Sequence, residues 1–478
     1  MLRKVFARLL LVPVCAVALI SATSPDTIVR PTKFDYTMTT LPNGLQVVFL
    51  EDHSTPIVHA AVWYHVGSKD EKAGRTGFAH LFEHLMFKGS KNVRADQHPS
   101  WITSVGGQAN AFTDEDATVY WQTVPAQQLP LVLWLEADRM ASLEVSEDKF
   151  RNELEVVKEE RRMRFENQPF GRLPEIIFDK AFTTHPYKHQ TIGSMEDLQA
   201  APISAVREFH DTYYVPNNAT LALVGDFETK QALALVEQYL GRVPKGNPVP
   251  RDIPKEPAQK GQLEFTMTEP WPLPAVVVSY KITNDGHPDA YPLHILAKIL
   301  SDGDSSRIYR SLVYEKQMAL AAFGEAKLIE HPNLFYAVAI VQPGDKLGPA
   351  ELRSATAAVQ KELLSQLDRV KTEGVTAAEL SRAKRQFARD YILGRDTVQQ
   401  KALHLGHAIV IHNDIKTADG EFDLFQDVTL ADVQRVAKTY FTPESRMLLT
   451  IMPRGPVSGG GLPPGPLGFE LPRDGRPR

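Results

Sequence analysis

The chain has one cysteine in 478 residues, Cys15. A single thiol makes no internal disulfide and no cysteine metal cage, so any metal centre here must be built from histidines and carboxylates. A basic excess is missing too. Lys and Arg number 53 against 58 Asp and Glu, a net charge of −5, which argues against a nucleic-acid partner. Apolar runs long enough to span a bilayer are also lacking. Leu9 to Ala22 is broken by Pro13 and is too short for a comfortable span. With Arg3, Lys4 and Arg8 before it and Ser21-Ala22-Thr23-Ser24 closing it, residues 1–24 read as a cleaved signal peptide. That predicts export to the periplasm or secretion, with no stable membrane span after cleavage. An uncleaved anchor and lipidation of Cys15 are the alternatives, although Val12 and Val14 match a lipid-attachment box poorly.

What is present is ordinary for a soluble globular protein: 43% hydrophobic and 23% charged residues. The length predicts more than one domain. A proline-rich stretch, residues 245–260, reads as an extended linker. It divides a domain over 34–244 from a second over 261–453, and a Gly/Pro-rich tail over 454–478 is expected to be disordered. The two halves share a pattern. Thr212-Tyr213-Tyr214-Val215-Pro216 recurs as Thr439-Tyr440-Phe441-Thr442-Pro443, and Leu221 meets Leu448 at the same offset. A near-constant offset points to a duplicated unit. Within the first half, strands are expected after the Asn43-Gly44 turn, over Ile57 to Val66, and as a hairpin of 109–113 with 117–124. Leu129 to Ser142 and the highly charged Glu147 to Phe165 read as helices.

One short stretch carries chemistry. In Gly77-Phe78-Ala79-His80-Leu81-Phe82-Glu83-His84-Leu85, the two histidines lie one helical turn apart on one face, with Glu83 beside them. This is H-x-x-E-H, the inverse of the commoner zinc-peptidase order. The bare pattern needs a third ligand from elsewhere. The candidate is Glu160, 76 residues beyond His84 on the charged helix, with Glu153 two turns earlier on the same face. Glu155 and Glu159 read as solvated. In the second half the matching segment is His294-Ile295-Leu296-Ala297-Lys298. There Ala297 replaces the acid, and Lys298 puts a cation where the second ligand would stand. Only the first half is therefore expected to bind zinc, one ion per chain.

These residues, together with Gly107-Gln108-Ala109-Asn110-Ala111-Phe112-Thr113, resemble the zinc metallopeptidases of the pitrilysin/insulinase family. The resemblance is strongest to the short subunits akin to mitochondrial processing peptidase and runs from about Thr39 to Met452. It implies an α+β fold of two homologous domains, each an antiparallel sheet with helices packed on one side. It implies that His80, His84 and Glu160 bind Zn2+, that Glu83 is the general base taking a proton from zinc-bound water, and that Glu153 orients a ligand through a hydrogen bond. Asn110, Ala111 and Phe112 would belong to an edge strand that binds substrate. The implied activity is endopeptidase cleavage of peptides or small unfolded proteins, with a non-catalytic scaffold subunit as the alternative.

One departure stands out. Active members carry an Arg and a Tyr seven residues apart in a later domain. Here Tyr314 and Ala321 fill those places, and Arg307 with Tyr314 is out of register with Glu315-Lys316. The resemblance therefore implies a dimer, with a paralogous subunit that supplies the Arg/Tyr pair or, failing that, a second copy of this chain.

Overall fold

The computed structural model describes residues 28–342 and 348–455; the predicted signal segment with Cys15 and the tail beyond Gly455 lie outside them. Among the described residues, eleven strands build two sheets. The first holds β1 (Tyr36–Thr40), β2 (Gln46–Glu51), β3 (Ile57–Tyr64), β4 (Gln108–Thr113), β5 (Thr118–Pro125) and β6 (Ala219–Gly225), in the order β1-β2-β6-β3-β5-β4. The second holds β7 (Leu263–Glu269), β8 (Ala275–Lys281), β9 (Ala319–Ala326), β10 (Leu334–Val341) and β11 (Arg446–Pro453), in the order β7-β11-β8-β10-β9. Without β1, which sequence patterning missed, the two orders coincide strand for strand.

The sheets are mixed rather than antiparallel, which corrects the expectation. β6 runs parallel to β2 and antiparallel to β3; β11 runs parallel to β7 and antiparallel to β8. The reason is topological. In each half, two strands of opposite direction leave a gap, and the last strand of the half enters it after the helices. A strand between two opposed neighbours must be parallel to one of them.

Helices cover both faces of each sheet, not one. The first sheet turns Val47, Phe49, Val58, Val62 and Leu223 toward its own helices, including Leu81 and Phe82 of the H-x-x-E-H stretch. Its other face, with Val48, Ala61, Trp63 and Val224, packs on Val398, Ala402, Leu405 and Ile409 of helix Val398–Val410, which comes from the second half. The exchange is mutual. Leu173, Ile176 and Ile177 of helix Leu173–Ala181 lie on Val277, Val338, Leu449 and Ile451 of the second sheet. Strands buried on both faces read as near-continuous apolar runs, which is what β3, β6 and β8 show, with His59, Thr220 and Ser279 as buried polar interruptions.

Helix Val398–Val410 comes very close to β3. A Cβ built on Gly406 would lie 2.1 Å from Trp63 Nε1. Gly406→Val is expected to destabilise the chain by ~1–3 kcal/mol, the usual cost of overpacking a filled core. Denaturant unfolding measures it, and an unchanged midpoint would contradict this contact.

A buried polar junction also ties the halves together. Lys69 Nζ lies 3.0 Å from Glu330 Oε2 and 3.3 Å from Asp116 Oδ1, and the same Glu330 oxygen is 2.7 Å from His65 Nε2. Burial alone would raise the Glu330 pKa, but the hydrogen bond from His65 and the charge on Lys69 hold it down to about 2. A carboxylate with a depressed native pKa stabilises the fold above its unfolded pKa and loses that contribution as pH falls through the native value. The stability gap between wild type and Glu330→Gln is therefore expected to close between about pH 5 and pH 2. Unfolding curves across that range check it.

Candidate metal centre

Helix Phe78–Leu85 buries Phe78, Leu81, Phe82 and Leu85 and carries the two histidines and Glu83. Its start is set by two residues. Gly77 has φ 93°, and a Cβ there would meet the Ile192 carbonyl oxygen at 2.7 Å, so glycine alone fits. The first free N–H groups of the helix are taken by Glu71. Gly77 N and Ala79 N donate to its two carboxylate oxygens at 2.8 Å each. Burial pushes the Glu71 pKa well up, and these donors pull against it. A carboxylate at a helix N-terminus is favourable. Sequence patterning overlooked Glu71 because it reaches the helix from a loop six residues upstream, outside the spacing of a capping box.

The opposing helix, Glu147–Arg161, is capped by Ser146 Oγ, which accepts from Lys149 N. It stops earlier than patterning predicts. The backbone opens into a wider turn over Arg162–Glu166, with Asn167 N donating to Arg162 O. On this helix Glu153 and Glu160 face the histidines. His84 Nε2 lies 3.4 Å and His80 Nε2 3.8 Å from one oxygen of Glu160, Oε2. The two rings stand 4.9 Å apart at 68°. One donor atom from each of the three residues falls within 4.8 Å of the others. Arg164 Nη1 holds the other Glu160 oxygen at 3.0 Å, leaving Oε2 turned to the rings. Behind His84, Nδ1 is 3.5 Å from Glu153 Oε2, whose other oxygen is 3.2 Å from Lys88 Nζ. Glu155 and Glu159 are exposed and pair with Lys158 and Arg162.

Burial, and secondarily the charge of His84, lowers the His80 pKa to about 4, so this ring is neutral at pH 7. Burial works against charge on His84 as well, but hydrogen bonding to Glu153 and Glu160 outweighs it and raises that pKa to about 9. The pocket between these carboxylates thus attracts positive charge. Two imidazole nitrogens and one carboxylate oxygen form the donor set of many catalytic zinc sites, and a carboxylate behind one ring is the usual device for orienting it. The residues present fit a zinc ion.

Glu83 is half-buried beside this group. Burial raises its pKa, and the Thr113 side chain on β4 and the charge on His84 draw it back. β4 is the free edge of the first sheet, bonded only to β5. Asp114 N donates to Ala117 O at 2.9 Å. Alternation along an antiparallel ladder then turns the main-chain groups of Phe112 and Asn110 toward β5, and those of Thr113, Ala111 and Ala109 outward. The Ala111 N–H is bonded to Asn110 Oδ1 at 2.9 Å.

In the second half Lys298 is buried, 2.9 Å from Asp302 and 3.0 Å from Asp390. Arg307 is held by Glu379 at 2.6 Å, while Tyr314 is 76% exposed.

Residues 46–194 match the model of the insulinase family, peptidase family M16, and residues 202–387 match the M16 inactive domain. The zinc protease PqqE of Helicobacter pylori is 33% identical over 406 residues, 84% of this chain and 89% of that one. The chain belongs to the M16 peptidase family. A probable mitochondrial-processing peptidase β subunit of Arabidopsis thaliana is 23% identical over 87% of this chain and 78% of its own length. Among solved M16-like structures, a protease from Helicobacter pylori superposes with a TM-score of 0.82 at 31% identity, over 88% of this chain and all of that one. The periplasmic protease PqqL of Escherichia coli shares the fold, with a TM-score of 0.70 at 17% identity. The match covers 88% of this chain and 48% of that longer one. Among the described residues no helix is long and apolar enough to cross a membrane.

Proposed function

We propose that the chain is a zinc-dependent endopeptidase, exported by its N-terminal segment, and the catalytic half of a two-subunit enzyme. The observation that carries this reading is the convergence of His80, His84 and Glu160, with Glu83 beside them at a sheet edge. The names of the most similar bacterial relatives support zinc as the ion. When bound, zinc supplies a Lewis acid that polarises a carbonyl and makes water more acidic. Glu153 fixes the ring of His84 through Nδ1, and Arg164 fixes the free oxygen of Glu160. Glu83, ionised, takes the proton of the attacking water and returns it to the leaving amine. Its half-buried position beside Thr113 keeps it next to β4.

The substrate would lie along β4 as an added strand, pairing with the outward main-chain groups of Ala109, Ala111 and Thr113. That refines the expectation of Asn110, Ala111 and Phe112. Asn110 would have to release the Ala111 N–H, and Phe112 would contribute its side chain alone. Pairing through the main chain reads length and extension more than sequence, so peptides and unfolded segments are the substrate class.

The subunit arrangement follows from Arg307 and Tyr314. Arg307 is bonded to Glu379, and a paralogous chain would supply the Arg/Tyr pair to the scissile carbonyl. A homodimer is the second arrangement.

The test is hydrolysis of a set of fluorogenic peptides by the purified chain. Chelation is expected to abolish cleavage and stoichiometric zinc to restore it, and the rate is expected to rise when the paralogous subunit is added. Cleavage that survives chelation would refute zinc catalysis. A rate unchanged by any partner would refute the two-subunit arrangement.

A further inference from the structure

We propose that the chain holds a second divalent-metal centre, built from Asp285, His407 and His412 and remote in sequence from the first. Asp285 lies in the loop that follows β8, before helix Ala290–Ser301. His407 is in the last turn of helix Val398–Val410, and His412 stands two residues beyond its end. The two rings converge on one oxygen: His412 Nε2 is 2.9 Å and His407 Nε2 3.9 Å from Asp285 Oδ2. One donor atom from each of the three lies within 4.8 Å of the others.

The arrangement repeats that of the first centre. There, two Nε2 atoms stand 3.4 and 3.8 Å from one carboxylate oxygen, with rings 4.9 Å apart at 68°. Here the rings are 5.1 Å apart at 69°. In the first centre Glu153 backs Nδ1 of His84 at 3.5 Å; in the second Glu421 Oε1 backs Nδ1 of His412 at 3.8 Å. The local sequence is unrelated, because the histidines are five apart and only one of them is helical. A tetrahedral zinc site with bonds near 2.0–2.1 Å sets its donors roughly 3.3 Å apart. The distances of 2.9 and 3.9 Å bracket that value. An ion between the three groups would draw them together. His407 is the most open, its side chain 28% exposed, against 17% for Asp285 and 4% for His412. Entry from solvent is therefore past His407.

The donor set suits zinc, with imidazole favouring it over magnesium or calcium. Glu421 stands on the Nδ1 side of His412, behind the donors. The role assigned is structural. The ion would tie the loop after β8 to helix Val398–Val410, the helix that lays Gly406 against Trp63 on the first sheet. Occupancy would stabilise the contact between the halves.

The test uses the full chain carrying His80→Ala and His84→Ala, which removes the first centre and leaves the second. After chelation it is titrated with zinc chloride alone, with bound metal measured by equilibrium dialysis and the unfolding midpoint recorded in parallel. One equivalent is expected, together with a rise in the midpoint by several degrees. Asp285→Asn, which keeps the shape of the side chain, and His407→Ala, at the most open position, are each expected to weaken binding at least tenfold and to erase the midpoint rise. Wild type is expected to hold two equivalents. No bound zinc in the His80/His84 variant, or one equivalent that survives both Asp285→Asn and His407→Ala, would overturn the proposal. If the first centre is misassigned, wild type and the His80/His84 variant will hold equal amounts of zinc, while Asp285→Asn still reports on the second centre alone.

Discussion

Glu83→Gln is expected to cut peptide hydrolysis by about two to four orders of magnitude while leaving zinc binding within a few-fold of wild type. The substitution keeps the size of the side chain and removes only its ability to take a proton, and general-base catalysis contributes on that scale. Glu83 faces Thr113 and the rings without being one of the three converging donors, so the metal should be retained. The loss is expected in kcat more than in KM, because proton transfer belongs to the chemical step. Hydrolysis that persists in Glu83→Gln with zinc bound would remove this residue from the mechanism.

The second large effect concerns the charged helix. Glu160→Gln is expected to lower zinc affinity at the first centre by more than a hundredfold, and Glu153→Ala by about ten- to a hundredfold, the usual cost of losing a group that orients a ligand. Glu159→Gln, one residue away, is expected to change it by less than threefold, because Glu159 is exposed and bonded to Arg162. Hydrolysis measured against a series of zinc-buffered solutions separates the three. Equal effects at 159 and 160 would mean that the helix acts only through its net charge.

These residues differ in how readable they were. His80, Glu83 and His84 sit within five positions of one another, where helical spacing alone puts them on one face. Glu153 and Glu160 share a face by the same rule, but their approach to the histidines depends on how two helices pack, and spacing within either helix does not encode that. The resemblance of the whole motif pointed to it. Glu71 left no trace because its bond to the helix runs through an irregular loop. The parallel pairing of β6 with β2 was hidden because it is set by which gap the last strand enters. The crossed helices were hidden for a related reason: a largely apolar strand such as β3 says that both faces are covered, not which half supplies the cover. Asp285, His407 and His412 come together only once helix Val398–Val410 has docked on the first sheet.

The two halves also differ in what their acidic surrounds can hold. At corresponding places His84 receives carboxylates from the neighbouring helix, and Lys298 receives them too, from Asp302 and Asp390. An acidic surround is common to both. An imidazole in it can give up its proton and offer a lone pair to a metal, whereas a lysine neutralises the surround and closes the site. That physical difference fits the match of residues 202–387 to an inactive domain.

Crystals of the full chain, grown with zinc and measured on both sides of the zinc absorption edge, give the most direct view of the first centre. The anomalous difference map is expected to show a peak about 2.0–2.2 Å from His80 Nε2, His84 Nε2 and a Glu160 carboxylate oxygen together. A map with no peak there, or with a peak that Glu160 does not touch, would contradict the assignment of these three side chains to a single zinc ion.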